Sequence, residues 1–286
     1  FSLLMFLLVF PFNLSAQSSV QQEQLTFVRL TGEQYRNSIR DIFGESIRVR
    51  GDAVSAGVRE AGLTALGDRR LTLSSSELES FEVLALDIAS QVLEPSRRTT
   101  LIPCEPDNQN SVDNECASEF ISSVGLHLFR RPLAQDEIEG FKSMASAATN
   151  SLGSFYVGLQ AALVGMMVSP DFLFRTERSS PNPEAPGLRQ LDAWSIASRL
   201  SFFLWNTTPS VSLLKAAESG ELLFEEGLNK QVDRMMSSPR VEDGLRAFFS
   251  DMLAFDRFNT LDIDPTLYPK FTKSVEDEAR EQTLRT

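Results

Sequence analysis

Hydrophobic residues recur along most of this chain with the 3.6-residue period of a helix, and no window alternates with a period of two over more than a few residues. Leu30-Thr31-Gly32-Glu33-Gln34-Tyr35 marks the first clear helix start: Thr31 and Gln34 make a capping box, with Leu30 and Tyr35 as its hydrophobic staple. Tyr35, Ile39, Ile42 and Phe43 then share one face until Gly44 stops the helix. Ser74 and Glu77 form a second capping box, with Leu73 and Leu78 as its staple. The helix it opens turns Leu78, Phe81, Leu84, Ile88 and Val92 inward and ends before Pro95. Between these two helices, Glu45 to Arg70 shows no period and reads as loop with one short helix at most.

Further along, Cys116, Phe120, Val124 and Leu128 define one helix, and Ile138, Phe141, Ala145 and Ala148 a second. Phe155, Leu159, Ala162, Leu163 and Met166 define a third, which Pro170 closes, opening a short helix through Phe172 and Phe174. The stretch from Leu191 to Leu222 organises the remainder of the chain. Asp192 stands at an N-cap, Leu191 and Ile196 make a staple, and Trp194, Ala197, Leu200 and Leu204 give an apolar face. Ile196 and Phe203 widen that face beyond what a surface helix carries, which predicts a central helix with Arg199 inside a mostly apolar run. A second helical run reaches Gly220; Leu228, Val232 and Met235 mark another helix, and Val241, Leu245, Phe248, Phe249 and Met252 the next. Asp262 to Phe271 reads as loop, and an acidic helix starts near Thr272. These elements predict an all-α fold of serial helix bundles, with no sheet of three or more strands and a loop-rich segment near the N-terminus. The expected organisation is a helical domain over 25–100, a second over 101–178 and a linker at 179–187, where Pro181, Pro183 and Pro186 cluster. A third helical domain over 188–286 reads as cut off at its end.

The first 16 residues differ in kind. Phe1 to Phe10 is an apolar run too short to span a bilayer, Pro11 breaks it, and Ser15-Ala16 offers a small-residue cleavage site. Without an initiator Met or a basic leading region, 1–16 reads as a truncated signal peptide, and the protein is expected in the periplasm or outside the cell. Export changes the meaning of Cys104 and Cys116, the only two cysteines. In an oxidising compartment they read as a local disulfide, worth about 3 kcal/mol in the chain-entropy account. A net charge of -12 argues against nucleic acid or an anionic membrane surface as partner, since both call for a basic face. No transmembrane segment apart from the signal peptide is expected.

Several stretches resemble a family of large exported bacterial proteins, the planctomycete-type secreted domains of unknown function associated with cytochrome c. Arg29-Leu30-Thr31 with Tyr35, Asn37 and Ile39-Arg40-Asp41 resembles the opening motif of the family's first domain. Phe129-Arg130-Arg131-Pro132-Leu133 with Glu137 resembles the signature of the second. Ser169-Pro170, Phe172-Leu173, Arg175 and Glu177, then Ala197 to Trp205, resemble the third, which Gln231-Val232, Arg234-Met235 and Ser238-Pro239-Arg240 continue. Ala134 departs from the pattern, standing where the family has a helix-capping Thr. The resemblance implies helical domains in series and, in a downstream region not present here, a haem c bound at a Cys-x-x-Cys-His motif; that motif does not occur in this chain.

The motif residues carry two readings each. Arg199 either binds an anionic ligand or pairs with a buried carboxylate such as Glu177 or Asp192. Arg130 and Arg131 either form a docking patch or complement a helix C-terminus. Trp194 and Trp205 either stack on sugars or pack a core. His127, the single histidine, has no Ser or Cys partner in view, and Asn206-Thr207-Thr208 fits a glycosylation sequon. No catalytic constellation is visible in the residues; the resemblance implies a helical scaffold or interaction region of a larger redox protein, with an unknown protein or redox partner, and the alternative is part of a secreted enzyme or carbohydrate-binding protein acting on extracellular polymers.

Overall fold

A computed structural model describes residues 24–51, 59–60, 62–64, 72–182, 185–255, 257, 263–264 and 266–285. The signal-like residues 1–16 and most of the expected loop at 45–70 lie outside this set. The chain opens on strand β1 (Gln24–Arg29), followed by α1 (Gly32–Phe43), α2 (Ser75–Val92) and a single turn, α3 (Arg98–Leu101). Then come α4 (Asn114–Phe129), α5 (Gln135–Leu152), α6 (Phe155–Met167) and the short α7 (Pro170–Leu173). Strands β2 (Phe174–Pro181) and β3 (Arg189–Leu191) precede α8 (Ala193–Leu204), α9 (Val211–Glu218), α10 (Glu225–Met236), α11 (Val241–Met252) and α12 (Lys273–Arg285).

The predicted helix starts are present. At α1, Thr31 Oγ1 accepts from the Gln34 amide while Gln34 Oε1 accepts from the Thr31 amide, and the same reciprocal pair joins Ser74 and Glu77 at α2. Helix α6 packs against α5, α2 and α4, and most of its residues are buried because its neighbours surround it. Gly158 sets the α5–α6 approach: a Cβ there would meet Thr149 Oγ1 at 2.1 Å and the Ala145 carbonyl at 2.5 Å. One core runs through this bundle from Tyr35 and Ile39 in α1, through Ile88 in α2 and Phe120 in α4, to Leu163 in α6 and Phe172 in α7. It therefore includes residues from both sides of the boundary expected at 100/101. A second cluster gathers Ala197, Trp205, Leu213, Ala217, Leu222 and Met235. A disulfide joins Cys104 to Cys116 across the polar loop before α4.

The all-α expectation is corrected by an antiparallel sheet of three strands in the order β1-β2-β3. Leu25 pairs with Arg178, Thr26 with Glu177 and Phe27 with Thr176, while Ser179 pairs with Leu191 and Pro181 with Arg189. The strand escaped detection because β2, Phe-Arg-Thr-Glu-Arg-Ser-Ser-Pro, buries a carboxylate, Glu177, where an ordinary strand buries an apolar side chain. A period-two test on hydrophobicity cannot register such a pattern. Of the segment expected as a linker at 179–187, Ser179, Ser180 and Pro181 belong to β2, and the Asn182 amide donates to Leu188 O at 2.9 Å. Two smaller corrections concern single side chains: Leu78 and Phe203, both expected on buried faces, are exposed.

Candidate functional site

The resemblance motifs meet where the end of α4, strand β2 and the start of α8 converge. Arg130 caps α4 in the left-handed region, φ 59°, a rare conformation for a residue with a Cβ. That turn sends its guanidinium into the interior, where it donates to the carbonyls of Asp171, Phe172 (3.3 Å) and Phe174 (2.7 Å). These are carbonyls at the end of α7, left without partners by the helix itself. Arg130 is 3% exposed, and burial, aided by the nearby Arg175 charge, pulls its pKa down to about 9. It remains a cation at neutral pH.

Arg131 points the other way. It grips Glu137 with two parallel bonds of 2.8 Å and reaches Asp171 Oδ1 at 3.0 Å, and these hydrogen bonds raise its pKa while lowering that of Glu137. Glu137 Oε2 also accepts from the Ala134 amide at 2.7 Å, so half of a capping box survives although Ala134 has no oxygen to offer. The Arg130-Arg131 pair is thus built into the fold, with each guanidinium committed to particular acceptors.

Arg199 pairs with Glu177, one of the two carboxylates expected for it. Its Nε donates to Glu177 Oε1 at 3.2 Å and its Nη2 to Oε2, and this hydrogen bonding raises the arginine's pKa. Only one partner is buried, since the Glu177 side chain is 4% exposed and that of Arg199 51%. Arg175 Nε lies 3.5 Å from the same carboxylate, and Arg130 and Arg175 both stand beside the Phe202 ring. Asp192 is the N-cap of α8, its Oδ1 accepting from the Ser195 amide at 2.6 Å.

Trp205 packs. Its Nε1 donates to Met235 O at 3.1 Å, and Arg240 lies over its ring at 4.8 Å. The turn after it, Asn206 to Thr208, is buried and ties the second cluster to the first: Thr207 Oγ1 donates to Asp41 Oδ2 at 2.8 Å and Thr208 Oγ1 to His127 O at 3.0 Å. The apparent sequon therefore presents a buried Asn206, and its role is to fasten helices. His127 is half-buried, with its pKa lowered by desolvation. Among the described residues, no group of three or more His, Cys, Asp or Glu is placed to hold a metal ion. Nor is any helix there long and apolar enough to cross a membrane.

A small cavity of ≈ 20 Å³ sits in this junction, lined by Phe129, Arg130, Arg131, Thr176, Arg178, Asp192, Trp194, Ser195 and Ser198. Sequence reasoning singled out several of these residues but not their convergence, because strand β2 that joins them was not recognised.

Residues 116–177 match the family model PSD5, protein of unknown function (DUF1595), and residues 191–286 match PSD4, protein of unknown function (DUF1592). Both domains are present in this chain. No curated protein and no solved structure matches it. The cavity lies on the seam between the two domains: Arg130, Arg131 and Thr176 belong to the DUF1595 segment, Asp192, Trp194 and Ser198 to the DUF1592 segment, and Arg178 to the residues between them.

Proposed function

We propose that this chain is the helical scaffold and interaction region of a larger exported protein with a cytochrome c-like redox part. The observation that carries the reading is the apolar stripe of α11. Leu245, Phe248, Phe249 and Met252 fall at i, i+3, i+4 and i+7 on one face, and each keeps between 42% and 52% of its surface in water. A continuous apolar face of this kind marks a surface that a partner covers. The Cys104–Cys116 disulfide supports export, since such bonds persist in oxidising compartments. The resemblance to cytochrome c-associated domains supports a haem-bearing region of the same parent protein as the partner.

Sedimentation velocity tests this. The chain is mixed with the parent protein's c-type cytochrome region, supplied as a separate polypeptide, and haem absorbance is followed. A haem-bearing boundary at the sum of the two masses is expected, and it disappears with the double variant Phe248→Ser and Phe249→Ser. Two independent boundaries, or turnover of a polysaccharide by the chain alone, overturn the reading.

A further inference from the structure

The cavity on the seam holds two buried hydroxyls that the packing leaves unanswered. Ser198, 3% exposed, and Thr176 both line it, and among the described residues neither Ser198 Oγ nor Thr176 Oγ1 has a hydrogen-bond partner. Buried donors without acceptors are uncommon in folded proteins, and their presence on one cavity wall points to an absent acceptor.

The charges around the cavity indicate what kind. Arg131 is neutralised by Glu137 and Asp171. Glu177 is shared by Arg199 and Arg175. Asp192 spends its carboxylate on the first turn of α8. Arg130 holds only carbonyl groups. Arg178 binds the site through its backbone, its amide donating to Ser195 Oγ at 2.8 Å, while its guanidinium makes no hydrogen bond or close ion pair among the described residues and acts on Glu137 only through its charge, as one of the lesser causes of that carboxyl's lowered pKa. Five arginines thus face four carboxylates, and one cation is in surplus.

Size narrows the ligand further. A single water needs roughly 10–15 Å³ of such space. At ≈ 20 Å³ the cavity has room for between one and two water-sized oxygen atoms, too little for a tetrahedral phosphate. A planar carboxylate also suits a guanidinium fork, which offers two parallel donors. One water would satisfy the hydroxyls and leave the surplus charge unmatched.

We propose that this cavity binds the carboxylate group of a small organic acid, with the Arg178 guanidinium and the Ser198 and Thr176 hydroxyls as donors. The site is independent of the α11 face and of the scaffold reading. It would stiffen the seam between the two family domains whenever the acid is present.

Amide NMR of the 15N-labelled chain tests it in two titrations at equal concentration, one with sodium formate and one with sodium chloride. Formate should give saturable shifts at Thr176, Arg178 and Ser198, and chloride should not. Arg178→Ala, which leaves the backbone bond to Ser195 intact, should weaken formate binding roughly tenfold or more, as expected for loss of one charge-assisted donor pair. Ser198→Ala, which removes an unpartnered group, should fold as well as the parent and weaken binding severalfold. Shifts that stay linear, shifts that chloride reproduces, or an unchanged affinity in both variants overturn the proposal.

Discussion

Helices α6 and α11 are nearly the same length and each carries a run of large apolar residues at helical spacing, yet they end in opposite environments. Helix α6 is enclosed by α5, α2 and α4, so Phe155, Leu159, Leu163 and Met166 all lie within 2% of complete burial. Helix α11 rests on α8 by one close approach, at Gly244, where a Cβ would meet the Leu204 carbonyl at 2.3 Å. Gly244 is its only buried residue, and the aromatic stripe beside it stays half in water. Amphipathic periodicity therefore announces a face that needs covering; it does not say whether the same domain covers it. In α6 the cover is internal, and in α11 the apolar stripe stays about half in water.

That contrast gives the largest expected effect. Leu163→Ala opens a cavity in a fully packed core and should lower stability by about 3 kcal/mol. Phe249→Ala deletes a larger side chain from α11 but should change stability by no more than about 0.5 kcal/mol. Urea unfolding of the two variants decides the matter through the shift in midpoint at constant slope. Comparable losses would mean that α11 is as well packed as α6, and the interaction reading would lose its support.

A flaw in the enclosed region sets the next prediction. Tyr35 is 1% exposed, with its ring against Phe81 and Phe172, and its hydroxyl has no hydrogen-bond partner among the described residues. Burial alone pushes the phenol's pKa upward. Tyr35→Phe removes the unpaired group while keeping the ring, so stability should rise by about 1 kcal/mol, read from thermal unfolding. A loss of similar size would show that the hydroxyl is bonded, to a buried water for instance.

How much of the fold and site was legible in the sequence depended on how local the chemistry was. The caps at Thr31, Ser74 and Asp192 were readable because donor and acceptor lie within three residues of each other. The periodic faces of α1, α4 and α6 were readable for the same reason. Strand β2 was hidden because the one side chain it fully buries is a carboxylate, Glu177, so no alternation of hydropathy marks it. The cavity was hidden behind it, since Arg130, Arg178 and Ser198 come together only when β2 lies between α4 and α8. Glu177 was one of two carboxylates open to Arg199 in the sequence, beside Asp192, but the half-exposed arginine was not legible there, because sequence says nothing about which end of a long side chain reaches water.

The smallest effect compares one interaction in the two settings. Arg131 holds Glu137 with two bonds in the enclosed region, and Arg246 holds Glu281 with bonds of 2.8 and 3.1 Å between α11 and α12. The chemistry is the same, but the side chains are 17% and 24% exposed in the first pair and 30% and 41% in the second. In each glutamate the bond from arginine is the first cause of a pKa held below the ordinary 4.5. A lowered carboxyl pKa contributes stability that is present above pH 4.5 and lost as pH falls through the lowered value. Water and salt screen the open pair more, because at 1 M salt charges more than about 3 Å apart in solvent scarcely feel each other. Glu137→Gln should therefore cost just under about 1 kcal/mol at pH 7, most of it surviving 1 M salt and vanishing at low pH. Glu281→Gln should leave the unfolding midpoint unchanged in 1 M salt at either pH. Urea titrations at pH 7 and pH 3, each with and without salt, read all four corners. Equal salt sensitivity in the two variants would erase the distinction between the regions on which the comparison of α6 with α11 rests.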